Sequence, residues 1–180
     1  MKLTEIYKEM LTEENHKLEF GCAMLMLPIN KDSWKKLLDE ISPDDLYGTK
    51  EEGFNVETEP HITLLFGLHK NVSDEDVQEI VKKMKPINIS MKTITCFEND
   101  DYDVLKFDVK SSDLKKYHDL LAELPHTDTY SEYKPHSTIA YLNKGKAKKY
   151  IGHLNHSFKC QCFDIEYSKP EDSKKMFKIN

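Results

Sequence analysis

Two short phrases in the chain carry side chains suited to acid–base chemistry. They are Pro60-His61-Ile62-Thr63-Leu64-Leu65-Phe66 and Pro135-His136-Ser137-Thr138-Ile139-Ala140-Tyr141. Each reads Pro-His-x-Thr, then two apolar residues, then an aromatic. In a strand successive side chains alternate faces, so a His and a Thr two apart project from the same side. Two such strands brought together would set two imidazoles and two hydroxyls around one small space. An unperturbed imidazole titrates near about 6.5, so one ring can be neutral while its partner is protonated. One His can then deprotonate a hydroxyl while the other protonates a leaving oxygen. Thr63 and Thr138 can donate to the non-bridging oxygens of a phosphodiester, where charge builds up. No metal is needed for that course. The sequence leaves open which of His61 and His136 is the base.

The plainer alternative is that each His is a polar residue on a strand with no further role. A lone His-x-Thr triplet is weak as a motif. The shared Pro and the matching apolar-aromatic tail make coincidence a poor explanation of both copies.

The elements that must hold these phrases follow from periodicity. Phe20 to Leu27 reads as a strand stopped by Pro28. Asp32 is placed to cap a helix carrying Trp34, Leu37, Leu38 and Ile41. His61 to Leu68 is the first motif strand. Ser73 is placed to cap a helix with Val77, Ile80, Val81 and Met84 on its inner face. Ile87–Phe97 and Asp103–Val109 alternate as strands around a hairpin-like connection. A helix from Ser112 precedes the second motif strand, His136 to Leu142. A short basic helix (Lys144–His153), a strand (Ser157–Tyr167) and a last short strand near Phe177 complete the chain. Strand and helix thus alternate twice in the same order. The expected fold is α+β: two pseudo-symmetric lobes of antiparallel sheet, helices outside and a cleft between. Residues 1–18 read as an N-terminal helix or, from Leu11-Thr12-Glu13, a cleavable leader; residues 19–180 read as one bilobal domain.

Composition limits the ligands. With 180 residues, 32% charged residues and a net charge of -6, the chain is a globular protein poorly suited to a long polyanion. A small nucleotide needs only a local positive pocket. Cys22, Cys96, Cys160 and Cys162 match no common zinc spacing, and His153 with His156 lacks a third ligand, so no metal and no cofactor is expected. No membrane-length apolar run or signal peptide is present, which points to the cytoplasm and away from a membrane. No obligate protein partner is evident.

The paired strands resemble the 2H phosphoesterase superfamily, over most of the chain. Phe20-Gly21-Cys22-Ala23-Met24, Glu59 to Gly67 and Tyr133 to Leu142 are similar to segments of the phage anti-CBASS phosphodiesterases. The resemblance implies metal-independent cleavage of cyclic di- and trinucleotide defence signals, including cGAMP, in the cytoplasm of a phage's host. It equally admits a 2H enzyme acting on RNA 2',3'-cyclic phosphates or 2'-5' oligoadenylates. A sponge that binds the ligand uncut would not need both His and both Thr.

Candidates for holding the bases are Phe20, at the start of the first strand, and Tyr130 and Tyr133, in the loop before the second motif. Asp164 and Glu166 share one face of a strand and could accept from a base amino group. Lys144, Lys146, Lys148 and Lys149 form a basic run, more readily explained as a solvated face. The related family closes over its ligand with a Trp-containing C-terminal segment. Here Trp34 is the single Trp, which argues against a lid at Phe177.

Overall fold

Over their first four residues the two motif strands alternate half-exposed and buried side chains. The computed structural model describes residues 20–48, 55–128, 131–170 and 173–180. The segment expected as helix or leader over 1–18, and Tyr130, lie outside the described residues. In chain order the elements are β1 (Gly21–Met26), α1 (Lys31–Asp39), β2 (His61–Leu68), α2 (Asp74–Val81), β3 (Ile87–Met91) and β4 (Thr93–Glu98). There follow β5 (Tyr102–Asp108), α3 (Ser112–Leu121), β6 (His136–Asn143), β7 (Phe158–Cys162), β8 (Asp164–Ser168) and β9 (Lys174–Lys178). All strand pairings are antiparallel, and the fold is α+β.

One sheet has the order β2-β1-β8-β9 and the other β4-β5-β6, with β3-β7 as a separate ribbon. The units β1-α1-β2 and β5-α3-β6 repeat one plan: strand, helix, loop, motif strand. The repeat extends to single hydrogen bonds. Leu27 N donates to Pro60 O at 3.0 Å, and Val109 N donates to Pro135 O at 3.2 Å. A Pro just before a strand costs no ladder bond, because its missing N–H falls outside the pairing.

The free edge of each motif strand is covered by the loop that leads into the other motif. Beside β6, Glu57 N donates to Ile139 O (2.8 Å), Tyr141 N to Asn55 O (3.0 Å) and Tyr47 N to Tyr141 O (3.1 Å). Beside β2, Thr127 N donates to Gly67 O (2.9 Å) and His69 N to Pro125 O (3.0 Å). Gly67 has a φ of 113°, a conformation that disfavours any side chain. The exchange ties the lobes together and brings β2 and β6 into contact.

The inner faces supply the core. Ile62 and Leu64 on β2, Leu105 and Phe107 on β5, and Ile139 on β6 are fully buried, as are Leu37, Leu114 and Leu121 of the covering helices. Trp34 packs against Phe107 and Phe158, with ring centroids 6.2 and 5.4 Å away.

Four local expectations differ from what is found. The cap of α1 is Asn30, whose side chain accepts from Ser33 N at 3.0 Å; Asp32 sits inside the first turn, where an acid suits the dipole. By contrast, Ser73 and Asp76 form the full capping box that opens α2. The stretch Ile87–Phe97 divides at Lys92, and Ser157–Tyr167 divides at Phe163. Both switch sheets there: β3 pairs with β7, while β4 joins β5 and β8 joins β1. The basic segment Lys144–His153 holds just one 3-10 turn, Ala147–Lys149, because Gly145 and Gly152 flank it at φ 80° and 79°. Its lysines are engaged with Asp100 O, Asp45 and Glu98. Phe177 is buried on β9 in the core, not placed as a lid.

Replacing Trp34 by Ala should cost about 3–5 kcal/mol through lost packing. Urea unfolding monitored by far-UV circular dichroism should show the loss as an earlier midpoint.

Candidate active site

The alternation predicted for the motifs holds. Along β2 the side chains of Ile62 and Leu64 are buried while His61 and Thr63 are half-exposed; along β6 Ser137 and Ile139 are buried while His136 and Thr138 are half-exposed. Both imidazoles are anchored in the same way. His61 Nδ1 lies 2.8 Å from Glu59 O, and His136 Nδ1 lies 2.7 Å from Lys134 O. A carbonyl can only accept, so each Nδ1 carries a proton. In the neutral ring Nε2 is then left with its lone pair. The matching tautomers leave both Nε2 atoms available for proton transfer.

The surroundings of the two rings are not symmetric. Glu57 Oε2 stands 4.0 Å from His61 Nδ1. Its other oxygen accepts from Glu59 N at 2.9 Å, while the Glu57 carbonyl accepts from Trp34 Nε1 at 2.7 Å. With its own N–H bound to Ile139 O, Glu57 is held from both lobes. Around His136 the balance is reversed. Burial pushes its pKa down, and Lys106 and His61 add to the fall against the Lys134 carbonyl and Asp108. Phe97 packs on the His136 ring edge-to-face at 5.0 Å.

Cross-strand register shows where the asymmetry originates. On β1, Met26 stands opposite His61 and Met24 opposite Thr63; on β5, Asp108 stands opposite His136 and Lys106 opposite Thr138. Equivalent places are therefore thioethers in one lobe and an ion pair in the other. Lys106 is 5% exposed, and its ammonium bonds Asp108 and Thr95 Oγ1 (2.8 Å) and lies 4.1 Å from the Phe97 ring centroid. Burial opposes it, but hydrogen bonds from Lys106 and Thr95 hold the Asp108 carboxyl below its usual value.

The other candidate residues fall in distinct places. Phe20 sits just ahead of β1, edge-to-face with Phe66 at 6.2 Å. Tyr133 stacks on His118 at 4.3 Å and donates its hydroxyl to Thr63 O at 3.2 Å, so it braces the first motif strand from the second lobe. Asp164 and Glu166 do share the outer face of β8. Asp164 pairs with Lys178 at 2.5 Å, and Glu166, 8% exposed, with Lys174 at 3.0 Å and Ser168 Oγ at 3.2 Å, all through one oxygen. Desolvation pushes the Cys22 thiol up to about 12, against its hydrogen bond with Thr63, so it remains a neutral neighbour of that hydroxyl. Among the described residues no three His, Cys, Asp or Glu side chains converge as a metal-ligand set. Cys160 and Cys162 are free thiols with sulfurs 3.7 Å apart.

Sequence reading missed Glu57, Lys106, Phe97, Tyr102 and Tyr141. One signal was available: Glu57-Thr58-Glu59-Pro60-His61 aligns with Glu132-Tyr133-Lys134-Pro135-His136, a doubly acidic approach against a neutralised one. Glu132 pairs with Lys134 at 3.4 Å. For the others the signal lay in strand pairing alone.

The sequence profile of the 2'-5' RNA ligase superfamily matches residues 32–165. The chain belongs to this superfamily of 2H phosphoesterases. It is accordingly an enzyme of phosphodiester bonds, and the matched residues 32–165 include both His-x-Thr strands. Solved 2H structures share the fold. Usb1 of Kluyveromyces marxianus superposes with a TM-score of 0.57 at 10% identity, covering 91% of this chain and 100% of that one. The same protein with uridine monophosphate gives 0.58 at 11% identity, covering 89% and 98%. LigT of E. coli complexed with 3'-AMP gives 0.52 at 11% identity, covering 90% and 97%. No curated protein matches the sequence.

His61→Ala and His136→Ala should each lower turnover by about 100-fold or more. Circular dichroism melting curves should stay close to wild type, since both side chains are half-exposed. Full activity in either variant would remove that residue from the site.

Proposed function

We propose that the enzyme cleaves 3'-5' phosphodiester bonds next to a ribose 2'-OH, without a metal, in small cyclic di- and trinucleotides. The observation that carries the reading is the pair of imidazoles with identical Nδ1–H tautomers and opposite electrostatic settings. His136, kept neutral, takes the 2'-OH proton at Nε2 as the 2'-oxygen attacks phosphorus. His61, with the Glu57 carboxylate 4.0 Å from its Nδ1, takes the acid's part and gives its Nε2 proton to the departing 5'-oxygen. Thr63 and Thr138 donate to the two non-bridging oxygens. The product carries a 2',3'-cyclic phosphate; water, activated by the reverse proton transfers, opens it to a terminal phosphate.

The size of the ligand follows from the two walls. The outer face of the first sheet carries Phe20, Met24 and the largely buried Glu166; the outer face of the second carries Phe97 and Tyr141, packed on a buried Tyr102. A phosphate held between the His-Thr pairs would put a base against each wall, as a cyclic dinucleotide requires. Phe20 would stack on one base, and Glu166 could accept from its amino group through the oxygen not taken by Lys174. Asp164 is a second acceptor on that face, while Tyr133 acts on the pocket through the Thr63 carbonyl. Tyr130 enters this reading from its place in the loop before the second motif. A net charge of -6 favours a small ligand over a polynucleotide. By this reading the enzyme erases host antiviral nucleotide signals in the infected cytoplasm, in the manner of the phage anti-CBASS enzymes that its sequence resembles.

A second reading is favoured by the neighbours themselves. The Usb1 and LigT structures are described with uridine monophosphate and 3'-AMP, which suits action on RNA ends or 2'-5' linkages by the same four residues. Incubation with EDTA and a panel of cyclic dinucleotides, cyclic trinucleotides, 2'-5' oligomers and terminal cyclic phosphates, read by mass spectrometry, separates the two. Cyclic di- and trinucleotides should be the best substrates, and their 2'-deoxy forms should resist cleavage. Equal cleavage of ribo and deoxy forms would refute attack by the 2'-OH. Preference for 2'-5' oligomers or terminal cyclic phosphates would establish the second reading.

The pH dependence has a definite sign. The base must be neutral, and burial with the neighbouring cations disfavours its protonation. The acid-side fall of kcat/KM should therefore lie below the ordinary histidine value of about 6.5.

A further inference from the structure

Lys106 poses a question that packing does not answer. A buried ammonium is costly to desolvate, and an apolar residue of similar length would fill the site at less cost. At the equivalent place in the first lobe, opposite the motif threonine, stands the uncharged Met24. Lys106 is nonetheless only 5% exposed and rigidly held: Asp108 and Thr95 accept from its ammonium, and the Phe97 ring takes its remaining side at 4.1 Å. Phe97 in turn packs edge-to-face on His136. The cation is thus fixed within one residue layer of the catalytic imidazole.

We propose that Lys106 is a positioning residue that breaks the symmetry of the site: its anchored ammonium, set one strand from His136 and behind the Phe97 ring, adds to burial in favouring His136 as the base. The inference rests on the base assignment proposed above. The charges facing His136 are Lys106 and Asp108 from β5 and His61 from β2; β4 contributes the uncharged Thr95 and Phe97. Asp108 opposes the effect, but Lys106 and Thr95 already occupy one of its carboxylate oxygens. Glu57 acts on the other ring. The two histidines, alike in anchoring, thereby stand in different electrostatic surroundings.

The test compares wild type with Lys106→Met, Lys106→Arg and Lys106→Met/Asp108→Asn. His136 is titrated by NMR through its ring C–H signals, assigned with His136→Gln, and kcat/KM is followed against pH on whichever ribonucleotide diester is turned over. The Met variant should raise the His136 midpoint by roughly one pH unit, with the acid limb of kcat/KM moving equally. Arg should restore the wild-type midpoint, and the double variant should stay above wild type, since the cation is gone and no carboxylate is left to blame. A midpoint unmoved in both Met variants would overturn the role of Lys106, even if activity falls through lost packing. A midpoint that moves while the acid limb stays fixed would leave the charge effect standing and overturn His136 as the base. The two failures are therefore distinguishable.

Discussion

The constraint on which the site depends is the reciprocal covering of the motif strands. An exposed strand edge carries unpaired N–H and C=O groups that must find partners. Here each edge is satisfied by the loop leading into the other motif, through Glu57 N to Ile139 O on one side and Thr127 N to Gly67 O on the other. The same loops carry Glu59 and Lys134, whose carbonyls fix the two imidazoles. Lobe association and ring orientation are therefore one set of backbone bonds. Loosening the lobes would also free the histidines.

On that nearly symmetric frame, inequality helps function. With identical environments either histidine could hold the proton, and only part of the population would carry one acid and one base in a fixed arrangement. The inequality is built from neighbours, leaving the four reacting side chains alike. A carboxylate stands at one ring; burial and a fixed ammonium stand at the other. Met24 and Lys106, at matched positions, are the clearest sign that the lobes have been differentiated electrically while keeping their backbone plan.

Much of the plan was legible along the chain because its physics is local. Period-two alternation marked β2 and β6, and the Ser73 box marked α2, since such patterns depend on residues a few positions apart. The failures share a cause. Lys92 and Phe163 let continuous strand-like runs change sheets, and nothing within the runs says which partner each half will meet. The basic run after β6 looked like a helix, but flanking glycines and carboxylates from distant loops claimed it.

What the sequence determined by itself was the candidate set His61, Thr63, His136 and Thr138, each pair on one face by the geometry of a strand, and the superfamily. What only the tertiary structure decided was the electrostatic setting of each ring. Charge acts through space, and the groups that set it reach the rings by pairing across strands: Lys106 lies thirty positions from His136 in sequence and one strand away in the sheet. Tyr133 was read as a wall of the pocket; folding turns its hydroxyl onto the Thr63 carbonyl, across the seam between lobes. Residue types suggested the chemistry, and register set the charges around it.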